Sequence, residues 1–349
     1  MALNEELQKN LLSGKELFSD VLGAADTKKE LKSALLMGRH VIILGPSGIG
    51  KTTLAKNVAR LLPDIVANDC PYHCNPDAPI CPECRKKACK KRTISGESRF
   101  IRVQGSPDLT AEDLLGDIDP IKALQCGPLS MEAFTPGKIF KANNGVLFFD
   151  ELNRCPEKLQ NAMLQVLEER KATIGSYDVD IPTDFIFIGT MNPHDSSTER
   201  LSDVFLDRFD VIRMGYPENE EIEEEIIVSK GKSIIEFPKP LLKLMTSFIR
   251  SIRESDQLEK LPSVRASLGL YERAQANAML GKKKAVELSD VKKALHSVLS
   301  HRIRLKPAIR YIKGEEEFIN EEFSSFMDKH PFKDDHQEGD ELEKKGGSR

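Results

Sequence analysis

The chain has 349 residues, 40% of them hydrophobic and 30% charged, with a formal net charge of -4. That length accommodates two packed domains, and no stretch approaches the roughly 20 uninterrupted apolar residues of a transmembrane helix. From Gly314 to the end, twelve Asp and Glu face five Lys and Arg, a balance of -7 that leaves residues 1–313 at +3. The average therefore argues against a surface that is a nucleic-acid footprint throughout, while leaving room for a local basic patch. The N-terminus, MALNEELQKN, has neither a basic n-region nor an apolar h-region, which points to a cytoplasmic location.

In chain order, residues 3–12 and 26–38 show helical apolar spacing, and HVIILG from His40 reads as a short buried strand closed by Gly45. A glycine-rich turn then opens onto TTLAKNVARLL, with Leu54, Val58, Leu61 and Leu62 at helical spacing. Residues 63–98 break the pattern with five prolines, five cysteines and a basic run, and read as an insertion. The strand RFIRV resumes at Arg99, and a polar stretch from Gly105 to Gly137 leads to GVLFFDEL, a buried strand ending in two carboxylates. PEKLQNAMLQVLEER puts Leu159, Met163, Val166 and Leu167 on one helical face; TIGSYDVDIP suggests a hairpin, and FIFIGTMNP a further buried strand.

From about Glu218 the strand signals stop, and residues 219–230, 239–254, 263–280 and 289–303 read as helices. The expected fold class is α/β, a three-layer core with a parallel sheet and a smaller all-helical domain. The expected domains are 1–218, carrying the Cys-rich insertion at 63–98; 219–313; and an acidic tail, 314–349, expected to be disordered. Within that tail, Phe318, Phe323 and Phe326 offer at most one short docking helix.

GPSGIGKT fits the phosphate-binding loop, two glycines followed by Lys and a hydroxyl residue. The candidate nucleotide-binding residues are Gly45, Pro46, Ser47, Gly48, Ile49, Gly50, Lys51, Thr52 and Thr53. Backbone N–H groups of such a loop turn toward phosphate oxygens, Lys51 reaches the terminal phosphates, and Thr52 can ligate magnesium. The strand ending at Asp150 brings a second magnesium ligand, and Glu151 can polarise the attacking water. Asn192 in GTMNP could sense the γ-phosphate or position that water; as a residue before proline, it could also be a turn Asn.

Together these residues resemble the AAA+ ATPases, in the branch holding the magnesium-chelatase I subunit and the MoxR proteins. The resemblance spans about residues 18–306 and rests on the phosphate loop, LTAEDLLGDIDPIKAL, FTPGKIFKANNGVLFFDELN, GTMNP, LDRFD and VLSHRIRLKP; DELNRCPEKLQNAMLQVLEER leans toward MoxR. It implies a P-loop AAA+ core with a helical lid, ATP at subunit boundaries, and a homo-oligomeric ring, usually a hexamer. It makes Arg208 an arginine finger reaching a neighbour's γ-phosphate and Arg265 a second-sensor arginine. Where the family often has another arginine this chain has Ser202, and Arg200 nearby is out of register. The hairpin at 172–183 and the stretch Gly116–Gly137 match the branch's two insertions. The implied partner is a von Willebrand A-type subunit, with a separate large subunit inserting metal into a porphyrin. A MoxR-like chaperone maturing another metalloenzyme uses the same chemistry.

The cysteines depart from that family. Cys70, Cys74, Cys81 and Cys84 form a CxxxC and a CxxC within fifteen residues, a spacing suited to structural zinc, with Cys89 or His73 as alternate ligands. An iron–sulfur cluster and unligated or redox-active thiols are the alternatives. The run RKKACKKR, Arg85–Arg92, adds six positive charges that could contact nucleic acid, although no aromatic stacking platform is interleaved. Cys126 and Cys155 stand alone and read as buried small residues.

Overall fold

The structure is a computed structural model in which residues 2–13, 17–87, 89–127, 130–174, 179–193 and 201–332 are described. Met1–Gly215 and Tyr216–Arg349 make two compact units. In the first, β1 (His40–Leu44), β2 (Phe100–Gln104), β3 (Gly145–Asp150), β4 (Phe185–Met191) and β5 (Phe209–Arg213) form one parallel sheet in the order β5-β1-β4-β3-β2.

Both faces of this sheet are covered, which is why its central strands are apolar runs rather than alternating ones. Val41, Ile43, Val146, Phe148, Ile186 and Ile188 point to one side, where they meet α1 (Ala2–Leu12), α2 (Ala25–Leu36) and α3 (Lys51–Leu61) through Leu7, Leu31 and Leu54. On the other side Ile42, Leu147, Phe149, Phe185 and Phe187 pack with Leu159, Met163 and Val166 of α4 (Glu157–Glu169) and with the cysteines of the insertion. Three layers around a parallel sheet are the arrangement the alternating pattern implies. The edge strand β5 was absent from the sequence reading. It has only five residues, and Val211 is half exposed, so it lacks the continuous apolar run of its neighbours.

The 63–98 insertion is an ordered substructure. Ile65–Asn68 pairs antiparallel with Lys91–Ile94, and a short helix covers Pro82–Lys86. Fully buried Arg99 donates to the carbonyls of Pro63, Ser95 and Asn144, so both stems of the insertion are tied to the turn that feeds β3. The Gly116–Gly137 stretch holds the pair Gly116–Ile118 and Phe134–Pro136, and Lys171–Ile174 pairs with Val179–Pro182 in the expected hairpin, whose residues 175–178 lie outside the described ones.

The second unit contains α5 (Glu220–Lys230), α6 (Lys239–Arg253), α7 (Val264–Leu280) and α8 (Leu288–Leu299). The unit is helical, as expected, with one short antiparallel pair, Leu258–Lys260 with Arg304–Leu305. One expectation is corrected: disorder does not begin at residue 314, because α9 (Glu315–Lys329) buries Phe318, Ile319, Phe323 and Phe326 in the unit's core. The four apolar residues share one helical face, and their burial outweighs the acidic composition around them. The core also holds Glu223, fully buried and gripped by both Nη atoms of Arg253 at 2.7 Å and by Ser267 Oγ at 2.7 Å. Burial alone pushes this carboxyl up, but the Arg253 guanidinium overcomes it and holds Glu223 below the usual carboxylate range. No helix among the described residues is long and apolar enough to cross a membrane.

Candidate functional site

The loop Gly45–Gly50 leaves β1 at its carboxyl end and delivers the chain to the first turn of α3. Gly45 is required by close approach, since a Cβ there would meet the carbonyl oxygen of Met214 at 2.1 Å. Gly50 is required by its backbone, at φ 105°, immediately before Lys51 and Thr52 open the helix. The helix therefore presents Lys51 and Thr52 at its positive N-terminal end. Lys51 Nζ donates to the carbonyls of Gly45 and Pro46, each at 2.7 Å.

Parallel register then brings the distant acidic pair to this loop. Asp150 ends β3 opposite Gln104 of β2, and Thr190 of β4 stands opposite Ile43 of β1. The Thr190 hydroxyl donates to Asp150 Oδ1 at 2.6 Å and accepts the Glu151 backbone N–H at 3.0 Å, so one side chain fixes both acidic residues. Arg102 Nη2 lies 2.6 Å from Asp150 Oδ2. Gln104 Nε2 donates to Glu151 Oε2 at 2.9 Å, and Arg154 lies 3.2 Å from the same oxygen. Glu151 adopts a left-handed backbone, φ 55°, that turns the chain sharply at the strand end. Asn192 Nδ2 donates to Ser47 Oγ at 3.3 Å, which places it against the phosphate loop rather than in a remote turn. Thr190, Arg102, Gln104 and Arg154 were missed by sequence reasoning; the only local signal was Thr190 inside GTMNP.

Arg208 lies elsewhere. It immediately precedes β5, whose first residue, Phe209, pairs with His40 at the start of β1, whereas the phosphate loop follows Leu44 at the other end. Five residues of strand separate the two levels, about 17 Å at the usual rise. Its guanidinium pairs with Glu168 and donates to the Val204 carbonyl at 2.5 Å. Ser202 caps the short helix Asp203–Leu206, accepting the Phe205 N–H at 3.2 Å; Arg200 lies outside the described residues. In the second unit Arg265 is exposed at the start of α7. Burial and the nearby Arg265 hold the Arg302 guanidinium below its ordinary value, so two cations neighbour one another there.

The cysteine cluster assembles as the spacing implies. The sulfurs of Cys70, Cys74, Cys81 and Cys84 all lie within 4.8 Å of one another and all four residues are buried. Three backbone N–H groups, of Cys74, Cys81 and Cys84, donate to the sulfurs of Cys70, Cys74 and Cys81 at 3.4 Å. The alternates fall outside this set. His73 directs Nδ1 toward the Asn143 carbonyl at 3.4 Å, and Cys89 is only partly buried, with its sulfur 3.2 Å from that of Cys84. A hydrogen bond from Cys74 holds the Cys70 thiol low, while that bond raises Cys74 and burial raises Cys84. Four buried thiols cannot all ionise beside one another without a cation, so this donor set fits a tetrahedral metal. The basic run is largely engaged at the surface: Lys86 pairs with Glu132, Lys87 with Glu83 and Arg92 with Asp69.

Comparison with known proteins places these features. The ATPase family associated with various cellular activities (AAA) matches residues 84–211, the AAA lid domain matches 253–322, and the magnesium chelatase subunit ChlI family matches 17–74. The magnesium-chelatase subunit ChlI homolog of Methanocaldococcus jannaschii is 26% identical over 314 residues, covering 80% of this chain and 84% of that protein. The chloroplastic magnesium-chelatase subunit ChlI of Glycine max is 29% identical over 327 residues, covering 83% of this chain and 75% of that one. A structure of the complex between subunits BchI and BchD of magnesium chelatase, built by modelling on a single-particle cryo-electron-microscopy reconstruction, is similar at 22% identity, with a TM-score of 0.48 and coverage of 85% of this chain and 98% of that one. The chain is an ATP-hydrolysing AAA+ ATPase that resembles the magnesium-chelatase I subunit.

Proposed function

We propose that this ATPase works as a subunit of a homo-oligomeric ring, a hexamer in the family it resembles, and that hydrolysis remodels a von Willebrand A-type partner for metal insertion into a tetrapyrrole. The observation that carries the assembly reading is the placement of Arg208 at the opposite end of the strands from the phosphate loop. A guanidinium about 17 Å along the sheet cannot reach its own subunit's nucleotide, but it can serve a neighbour's. Among the described residues its Nε is buried without a hydrogen-bond partner.

Residues Gly45–Thr53 would wrap the phosphates, with Lys51 on the terminal ones. Thr52 and Asp150 would hold magnesium, whose charge offsets that of the β- and γ-phosphate oxygens. Glu151 would orient and polarise water, Asn192 would sit on the γ-phosphate side of Ser47, and Arg265 would contribute from the second unit. Thr190 would act as a positioning residue for both carboxylates. Thr190→Val is expected to lower kcat for ATP about tenfold, the loss of one hydrogen bond to a charged group, while leaving ATP affinity within about twofold. Steady-state phosphate release and equilibrium nucleotide binding check this.

The client reading rests on the likeness to chelatase I subunits. Affinity purification from the native host tests it. Recovery of a von Willebrand A-type subunit together with a large chelatase subunit supports metal insertion. Recovery of the former with another metalloenzyme favours the MoxR-like chaperone, and nucleic-acid-stimulated hydrolysis lost on neutralising Arg85–Arg92 favours a nucleic-acid motor. We also assign zinc to Cys70, Cys74, Cys81 and Cys84, on the convergence of their sulfurs. Elemental analysis of purified protein is expected to give about one zinc per chain, and iron or no metal would overturn this assignment.

A further inference from the structure

Five thiols meet at the insertion, and the geometry divides them into four and one. Cys70, Cys74, Cys81 and Cys84 are buried and mutually close, whereas Cys89 is partly buried, with its sulfur 3.2 Å from that of Cys84. A tetrahedral site has no use for a fifth ligand. At 7% exposure, Cys84 is also the most accessible of the four, and it sits on the five-residue helix Pro82–Lys86, which ends just before Cys89.

We propose that Cys89 is a peroxide-reactive thiol whose oxidation withdraws Cys84 from the metal site as a Cys84–Cys89 disulfide. The inference rests on the zinc assignment only for its consequence, since the thiol contact exists in the fold itself. In the first step hydrogen peroxide oxidises the Cys89 thiol to a sulfenic acid, and the peroxide is reduced to water. In the second, the Cys84 sulfur attacks the Cys89 sulfur; the sulfenic hydroxyl leaves with one proton as a second water, and the S–S bond forms. The sulfurs must close from 3.2 Å to the usual bonded distance of about 2.0 Å. Three cysteines then remain for the metal, one short of a closed structural site.

The test uses the full, zinc-loaded chain and its Cys89→Ser variant, exposed to hydrogen peroxide with a chromogenic zinc chelator present and disulfides mapped by peptide mass. Wild type is expected to release its zinc together with a Cys84–Cys89 linkage. Cys89→Ser is expected to purify with the same metal content and to release it roughly tenfold more slowly. A Cys89→Ser protein that purifies without zinc would make Cys89 a ligand and overturn the proposal. Release at the wild-type rate in that variant, or a different disulfide in wild type, would overturn it too. Wild-type protein that lacks metal before oxidation refutes the zinc assignment alone, and the disulfide map still decides the role of Cys89.

Discussion

Glu151→Gln protein is expected to bind ATP with wild-type affinity and to hydrolyse it at least about 100-fold more slowly, the scale of a lost general base. The substitution is isosteric and removes only the charge. Asp150 keeps its bond from Thr190 and its contact with Arg102, so the magnesium-binding side of the site is untouched. The left-handed turn at residue 151 is fixed by the backbone N–H to Thr190, which the variant retains. Lost turnover with retained binding, read from phosphate release and a fluorescent nucleotide, isolates the carboxylate's role. Hydrolysis within about threefold of wild type would remove Glu151 from the mechanism.

Arg208→Ala is expected to bind ATP normally and to lose hydrolysis by about 10³-fold or more, the usual worth of an arginine finger. The informative measurement is a mixture. When Arg208→Ala subunits assemble at random with Lys51→Ala subunits in equal amounts, one interface in about four joins an intact phosphate loop to an intact guanidinium, and activity should recover toward about a quarter of wild type. Neither variant recovers alone. A mixture as inactive as its components would mean that Arg208 does not act across a boundary. Replacing Arg208 also removes its ion pair with Glu168.

How much of this was readable in the sequence depends on whether the relevant groups are contiguous along the chain. The phosphate loop was legible because a single eight-residue stretch supplies the turn, the lysine and the hydroxyl. Central strands were legible because burial on both faces leaves an uninterrupted apolar run, whereas β5, on the edge, carries polar residues that hide it. Thr190, Arg102 and Gln104 were not legible as site residues. Their role comes from strand register, which sets Gln104 opposite Asp150 and brings the Thr190 hydroxyl to both carboxylates. Composition misled at the C-terminus, where charge counting predicted disorder and four apolar residues on one face of α9 produced a packed helix. Cysteine spacing revealed a metal-type cluster, but only the fold separates the four converging sulfurs from Cys89 and His73.

The insertion's attachment carries a consequence for engineering. The Asn143 side chain donates to the Tyr72 carbonyl at 2.9 Å and accepts the Asp184 N–H at 2.9 Å, while Arg99 reaches both stems of the insertion. A shortened chain with residues 63–98 cut back to a plain loop would therefore take away carbonyl acceptors from a buried amide and a buried guanidinium. The insertion behaves less like a removable ornament than like a keystone: trimming it calls for redesigning Asn143 and Arg99 at the same time.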